Sequence, residues 1–205
     1  MKRCNICGAK QSLLLYGGDG FSITSDLRLW EKGAEVFQCR ICGHIFKDPQ
    51  KLKAEIDKLY KSYELFSEED QHDQAIFLPN SPPKSRSKVL IETLPYLLRL
   101  TEGGKFLDIG CNKGFLLSEF SSANPGWTVY GYEISKDYEP HVKKIKRLGG
   151  FYWGDIAKIN EKFDLVTMVH TLEHVPSPTS FLKKVKKLLN PGGAVFVQVP
   201  NCSQN

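Results

Sequence analysis

Four of the six cysteines fall in two C-x-x-C pairs, Cys4 and Cys7 in CNIC and Cys39 and Cys42 in CRIC, each followed by a glycine, Gly8 or Gly43. Thiolates at that spacing can converge on one tetrahedral metal ion, and the glycine lets backbone amides turn toward the sulfurs. Zn2+ is the expected metal. Its role is structural, because so short and strand-poor a segment buries too little apolar surface to fold unaided. His44 beside Cys42 is a possible alternate ligand, but four thiolates already complete the shell. Cys111 and Cys202 stand apart and are expected to take no part.

A second constellation is FLDIGCNKGFLL, Phe106 to Leu117, an apolar run ending in an acid and a glycine-bearing loop. A dinucleotide loop needs G-x-G-x-x-G, whereas here the positions are Gly110, Asn112 and Phe115, with Gly114 one place earlier. Asn tolerates a left-handed backbone, so Asn112 can still make the tight turn while Gly114 permits close approach of a ligand. Glu133 ends the next apolar run, where a carboxylate can accept from both hydroxyls of a ribose. Asp155 ends the one after it, placed to receive an adenine amino group.

The third constellation is VHTLEHVP, with His170, Glu173 and His174 within five residues. An imidazole titrates near neutral pH, so His174 is the leading general base, with Glu173 and His170 beside it. His170 could equally pack on a bound cofactor.

These residues need a scaffold. KFLDIG, TVYGYE, GFYWGD, FDLVTMV and GAVFVQVP are short apolar runs without strict alternation, which predicts strands buried on both faces of a parallel sheet. The helix SKVLIETLPYLLRL puts Val89, Leu90, Leu94, Leu97 and Leu98 near one face and should kink at Pro95. TSFLKKVKKLL places Phe181, Val185 and Leu188 together and most lysines opposite, and NPGG stops it. The pattern is an α/β, doubly wound, Rossmann-like sheet over residues 84–205. A zinc-ribbon-like module is expected over 1–47, and a connector with a helical segment and a Pro-rich turn over 48–83.

The order of these elements resembles the class I S-adenosylmethionine-dependent methyltransferases over residues 84–201. The resemblance implies that Asp108 and Gly110 hold the methionine end of the cofactor and that Asn112 and Gly114 shape its loop. It further implies that Glu133 binds the ribose and that Asp155 and Ile156 hold adenine. Methyltransferases of exocyclic base amines have an NPPY-like tetrapeptide after the fourth strand, and this chain has VHTLEH instead. The LEHV at 172–175 is similar to that of the ubiquinone-type O-methyltransferases, so oxygen and carbon acceptors are favoured over nitrogen.

The cysteine pairs, the tyrosine-bearing LYKSYELF and the Asn in the glycine loop together resemble the zinc-binding sugar C-methyltransferases, which act on nucleotide-linked 4-keto-deoxysugars. That resemblance implies a small-molecule acceptor, a nucleotide sugar or glycan precursor, with Tyr60 or Tyr63 lining its pocket. His170 departs from it, standing where that family tends to have an asparagine. A class I sheet ordinarily has two further strands. This chain is expected to lack them, to leave its fifth strand as an edge open to self-association, and to bind S-adenosylhomocysteine while transferring methyl groups weakly. An RNA methyltransferase with a zinc module, or a non-catalytic S-adenosylmethionine-binding protein, are the alternatives.

The 205 residues suffice for one main core and a small satellite. The formal net charge of +5 arises largely from KDPQKLK, KKIKR and KKVKK, the last two in helix-like stretches whose lysines face solvent. No run reaches membrane-span length and none follows the basic opening residues as a signal core, so a cytoplasmic protein without a membrane partner is expected.

Overall fold

The computed structural model describes residues 2–17, 22–23, 29–30, 35–47 and 73–200. Tyr60, Tyr63 and Cys202 lie outside them. Two compact units are present, 1–70 with 175–181 and 71–174 with 182–205.

The first unit is built on an antiparallel sheet in which β1 (Ser12–Gly17) pairs with β4 (Glu35–Cys39), which pairs with β5 (Ile45–Lys47). A two-residue pair, β2 (Ser22–Ile23) and β3 (Leu29–Trp30), lies between β1 and β4 in sequence. The segment is therefore strand-built rather than strand-poor as its sequence suggests. Among its described residues the buried cluster is Cys4, Phe37, Cys39 and Phe46, half of it cysteine. In β1 the residues Leu13 to Tyr16 are all exposed, which is why no alternation could be read there.

In the second unit, β6 (Ala75–Ile76) and β7 (Lys84–Ser85) pair across the Pro-rich turn. The helix α1 (Arg86–Leu97) follows, with Ser85 as N-cap accepting from the Lys88 amide. Alternation then runs through β8 (Gly104–Ile109), α2 (Phe115–Ala123), β9 (Trp127–Glu133), the short α3 (Glu139–Val142), β10 (Leu148–Trp153), β11 (Phe163–Val169), α4 (Pro178–Lys187) and β12 (Leu189–Gln198). The sheet order is β10-β9-β8-β11-β12, every pairing parallel. The three inner strands are almost continuously buried, whereas the edge strands β10 and β12 are half-buried. The apolar runs reflect this difference, since only interior strands are covered on both faces.

Several expectations need correction. Leu97 does not join the buried face of α1: it is 58% exposed, while Leu90 and Leu94 are buried and Ile91 and Leu98 pack against the same core. Pro95 lies in the last turn, and α1 ends two residues later, where the Leu98 amide donates back to the Leu94 carbonyl. KKIKR is not helical, because α3 stops at Val142 and the chain turns, with Arg147 in the left-handed region at φ 57°. The fifth strand begins at Leu189, ahead of NPGG, which bulges out between the pairs Phe163–Leu189 and Leu165–Ala194.

One face of the sheet packs Leu90, Leu94, Phe106, Leu117, Phe120 and Trp127 together. The Phe120 ring sits 4.2 Å from that of Phe106 and edge-on to Trp127 at 5.4 Å. Truncation of Leu94 leaves a void under α1. Leu94→Ala should cost about 2–5 kcal/mol in urea unfolding, against less than about 0.5 kcal/mol for Leu97→Ala. Equal costs would put both residues in the core.

Candidate functional site

Strand order reverses between β8 and β11, so their outgoing chains leave in different directions and open a crevice at the carboxyl ends of the strands. The loop after β8 carries Gly110, Asn112 and Gly114, and the turn after β11 carries His170, Glu173 and His174.

The loop turns as its sequence anticipates. Gly110, Asn112 and Gly114 all have positive φ, at 80°, 49° and 83°. Asn112 holds its turn with its own side chain, its Oδ1 accepting from the Lys113 amide at 2.7 Å. The amides of Gly110 and Cys111 both donate to the Tyr132 carbonyl, pinning the loop to the end of β9. A side chain at Gly110 would run into Thr171, whose Oγ1 lies 2.2 Å from the position a Cβ would take. That hydroxyl donates to the Ile109 carbonyl at 3.0 Å and reaches the Val169 carbonyl at 3.2 Å, tying together the ends of β8 and β11.

Glu133 ends β9 beside this loop. Its Oε1 accepts from the Asn112 amide at 2.8 Å and its Oε2 from the Ile134 amide at 3.0 Å. Each oxygen keeps a second lone pair, so the carboxylate can still accept from two ligand hydroxyls. Burial pushes its carboxyl above the usual range against the pull of those amides. Asp155 lies just past β10 and caps a short 3-10 turn by accepting from the Ala157 amide at 3.0 Å, and Lys184 reaches it at 3.2 Å. The Ala157 amide and then the Lys184 ammonium hold its carboxyl below the ordinary value. The Ile156 side chain is buried, so what it can offer a ligand is its amide, the first of the turn and without an intrahelical acceptor.

Asp108 is the buried acid of the site, 4% exposed, and its Oδ1 accepts from the Thr167 hydroxyl at 2.6 Å. Burial pushes its carboxyl up to about 7; Thr167 opposes the rise, the Glu133 charge adds to it and Arg86 opposes it. Cys111 is also buried, and burial pushes its thiol far up, which makes it inert as a nucleophile.

In the turn after β11, Glu173 Oε1 is 3.5 Å from His170 Nδ1 and 4.0 Å from His174 Nε2. The carboxylate thus lies between two imidazoles. The His174 side chain is 54% exposed and that of His170 35%. His170 has φ 50°, uncommon for a residue with a side chain, and its amide donates to the Gln198 carbonyl of β12 at 2.9 Å.

In the first unit the sulfurs of Cys4, Cys7, Cys39 and Cys42 all lie within 4.8 Å of one another. Cys4 Sγ is 3.7 Å from Cys42 Sγ, and Cys7 Sγ is 3.6 Å from Cys39 Sγ. These are too long for disulfides and match the roughly 3.8 Å edge of a tetrahedron with zinc–sulfur bonds of about 2.3 Å. The two pairs fold alike: the Gly8 amide donates to the Cys4 carbonyl and the Gly43 amide to the Cys39 carbonyl, both at 3.0 Å, with φ 76° and 75° at the glycines. His44 stacks on Phe46 instead of joining the sulfurs.

Sequence reasoning missed Thr167 and Thr171. The one available signal was a hydroxyl at each position in or just after an otherwise apolar strand, and its meaning depends on which strand lies alongside.

This sheet and its crevice define the α/β Rossmann-like fold of the class I S-adenosylmethionine-dependent methyltransferases. A family described as methyltransferase domain matches residues 84–205, and the chain belongs to it. The coclaurine N-methyltransferase structure bound to N-methylheliamine and SAH superposes with a TM-score of 0.54 at 13% identity, covering 72% of this chain and 50% of that one, a likeness of fold. The ubiquinone biosynthesis O-methyltransferase of Xanthomonas euvesicatoria is 33% identical over 135 residues, 60% of this chain and 54% of that protein. Its counterpart from Proteus mirabilis is 36% identical over 111 residues, 48% and 43% respectively. The chain thus spans about half the length of the curated relatives it matches. Among the described residues no helix is long and apolar enough to cross a membrane.

The Asp108 carboxyl makes stability depend on pH with a definite sign. With a folded value of about 7 against an ordinary 3.8, the folded state keeps a proton that the unfolded chain sheds, so this group costs stability as pH rises through that window. Asp108→Asn keeps an oxygen for the Thr167 hydroxyl and removes the charge. Relative to the parent its unfolding free energy should gain on the order of 3 kcal/mol between about pH 4 and pH 7 and stay level above. A gap that moves the opposite way in urea titrations would mean the ionised carboxylate is the favoured form.

Proposed function

We propose that this chain transfers a methyl group from S-adenosylmethionine to a small-molecule acceptor, at oxygen or at an enolate carbon, the acceptor class being a nucleotide-linked keto-sugar or related glycan precursor. The observation that carries the reading is the His170–Glu173–His174 turn, two imidazoles about one carboxylate at the crevice where the strand order reverses. When bound, S-adenosylmethionine supplies a methyl group on a sulfonium, which an in-line nucleophile displaces. The protein has to align that nucleophile and remove its proton.

Asp108 and Gly110 face the methionine end, Asn112 and Gly114 shape the loop around it, Glu133 takes the ribose hydroxyls, and Asp155 with the Ile156 amide takes adenine. His174, the more open imidazole, is the base, with the Glu173 carboxylate 4.0 Å from its Nε2. His170, held at its strained backbone angle, packs at the cofactor side. The four-thiolate module and the Asn in the glycine loop support the sugar reading. A hydroxyl acceptor is the second reading, favoured by relatives named ubiquinone biosynthesis O-methyltransferase.

Hydrogen–deuterium exchange separates the two. A keto-sugar acceptor should exchange the proton beside its ketone with solvent in the presence of the protein, and His174→Ala should slow that exchange by roughly 100-fold or more. Methylation of a hydroxyl without exchange would leave the O-methyl reading standing alone.

Cys4, Cys7, Cys39 and Cys42 would hold a structural Zn2+. Their sulfur spacing supports this: four thiolates this close repel one another unless a cation lies among them. Elemental analysis should find one zinc per chain, lost on Cys39→Ser along with the fold of residues 1–47. Zinc content unchanged by that substitution would defeat the assignment.

A further inference from the structure

Asp108 and Thr167 are cross-strand partners on β8 and β11, the two strands that flank the reversal of strand order. Both are buried, Thr167 completely, and their contact at 2.6 Å joins two side chains far apart in sequence. Asp108 Oδ1 is committed to this bond. Asp108 Oδ2 makes no hydrogen bond among the described residues, yet it is not among their enclosed, unpartnered polar atoms, so it keeps some access, and Asp108 lies one residue from the carboxyl end of β8, where the crevice opens.

We propose that Thr167 is a positioning residue for cofactor binding: its hydroxyl fixes the Asp108 carboxylate so that Oδ2 is presented to the α-ammonium of the methionine end. This rests on the reading that Asp108 holds that end of the cofactor. Threonine suits the task because its branched Cβ is stiff in a strand, and the strand backbone therefore sets the direction of its hydroxyl. A carboxylate accepting one fixed bond cannot rotate freely, and an ammonium ligand then meets an oxygen already in place.

The donated bond also favours the ionised form that an ammonium requires. The other groups acting on Asp108 are Glu133 from β9, which opposes ionisation, and Arg86 from α1, which favours it; the buried Cys111 thiol lies on the loop. Without the hydroxyl, the balance moves toward a protonated Asp108, and ligand binding must then expel the proton.

Calorimetric titration of S-adenosylhomocysteine into the full chain between about pH 5.5 and 8.5 tests this. The variants are Thr167→Val, Thr167→Ser and Asp108→Asn, each expressed as a ratio to the parent so that titration of the ligand cancels. Thr167→Val should bind roughly tenfold or more weakly at pH 7, with the ratio shrinking as pH rises, and Thr167→Ser should return to within about threefold of the parent. An unchanged affinity for Thr167→Val, or a loss equal at every pH, would overturn the proposal, the latter marking Thr167 as packing alone. Should Thr167→Val not fold, Thr167→Cys, a weak donor of similar size, is judged by the same two readings. Asp108→Asn binding as tightly as the parent would instead remove Asp108 from the site, a failure of the underlying reading separate from any result at Thr167.

Discussion

The central strand β8 is paired on both sides by parallel neighbours, Ile109 lying between Tyr132 of β9 and Met168 of β11. Parallel neighbours bring all their carboxyl ends to one edge, and reversal of the order at β8 leaves a gap there that no crossover covers. Every candidate ligand-binding or reacting residue in residues 84–205 hangs from that edge. Gly110 to Gly114 follow β8, Glu133 ends β9, Asp155 follows β10, and His170 to His174 follow β11. A shift of one residue in the β8–β11 register would separate Asp108 from Thr167 and Ile109 from Thr171, so site and sheet depend on the same pairing.

The electrostatics of the edge are costly. Asp108 is buried and Glu133 half-buried, and each has its carboxyl raised by burial, with the Glu133 charge adding to the rise at Asp108. The sheet offsets part of this with donors from fixed places: the Thr167 hydroxyl for one, the Asn112 and Ile134 amides for the other. Two acids that raise each other's cost of ionisation, with Arg86 offsetting part of it at Asp108, are a poor choice for stability and mark the edge as a candidate ligand site. The left-handed backbone at Asn112 and His170 belongs to the same economy, for both residues sit where the chain must leave the sheet sharply.

The amino-terminal module follows a different logic. Among its described residues the buried cluster is two phenylalanines and two cysteines, and its two cysteine turns fold alike. Among the described residues its antiparallel sheet of three short strands encloses little apolar surface, and the four sulfurs gather beside it. The crevice residues, by contrast, belong to a unit with a full hydrophobic core.

The sequence by itself determined the α/β alternation, the five inner and edge strands within a few residues, the left-handed turn at Asn112 and the pairing of the cysteines, because each is a local matter of apolar run length, backbone preference or short spacing. It also marked Glu133, Asp155 and the His170–His174 turn as ends of strands. It misjudged Leu97, the KKIKR segment and the start of β12, where helical period or a glycine pair competes with what the neighbouring layer covers. Only the tertiary structure decided that Thr167 lies against Asp108, that Thr171 fills the space at Gly110, that Glu133 closes the Asn112 turn and that Glu173 sits between two imidazoles at unequal distances. Most of these contacts join residues tens of positions apart, and for Glu173 the side-chain directions alone set the distances. A cross-strand neighbour is fixed by register and strand order, which are properties of the whole sheet and are written in no single stretch of the chain.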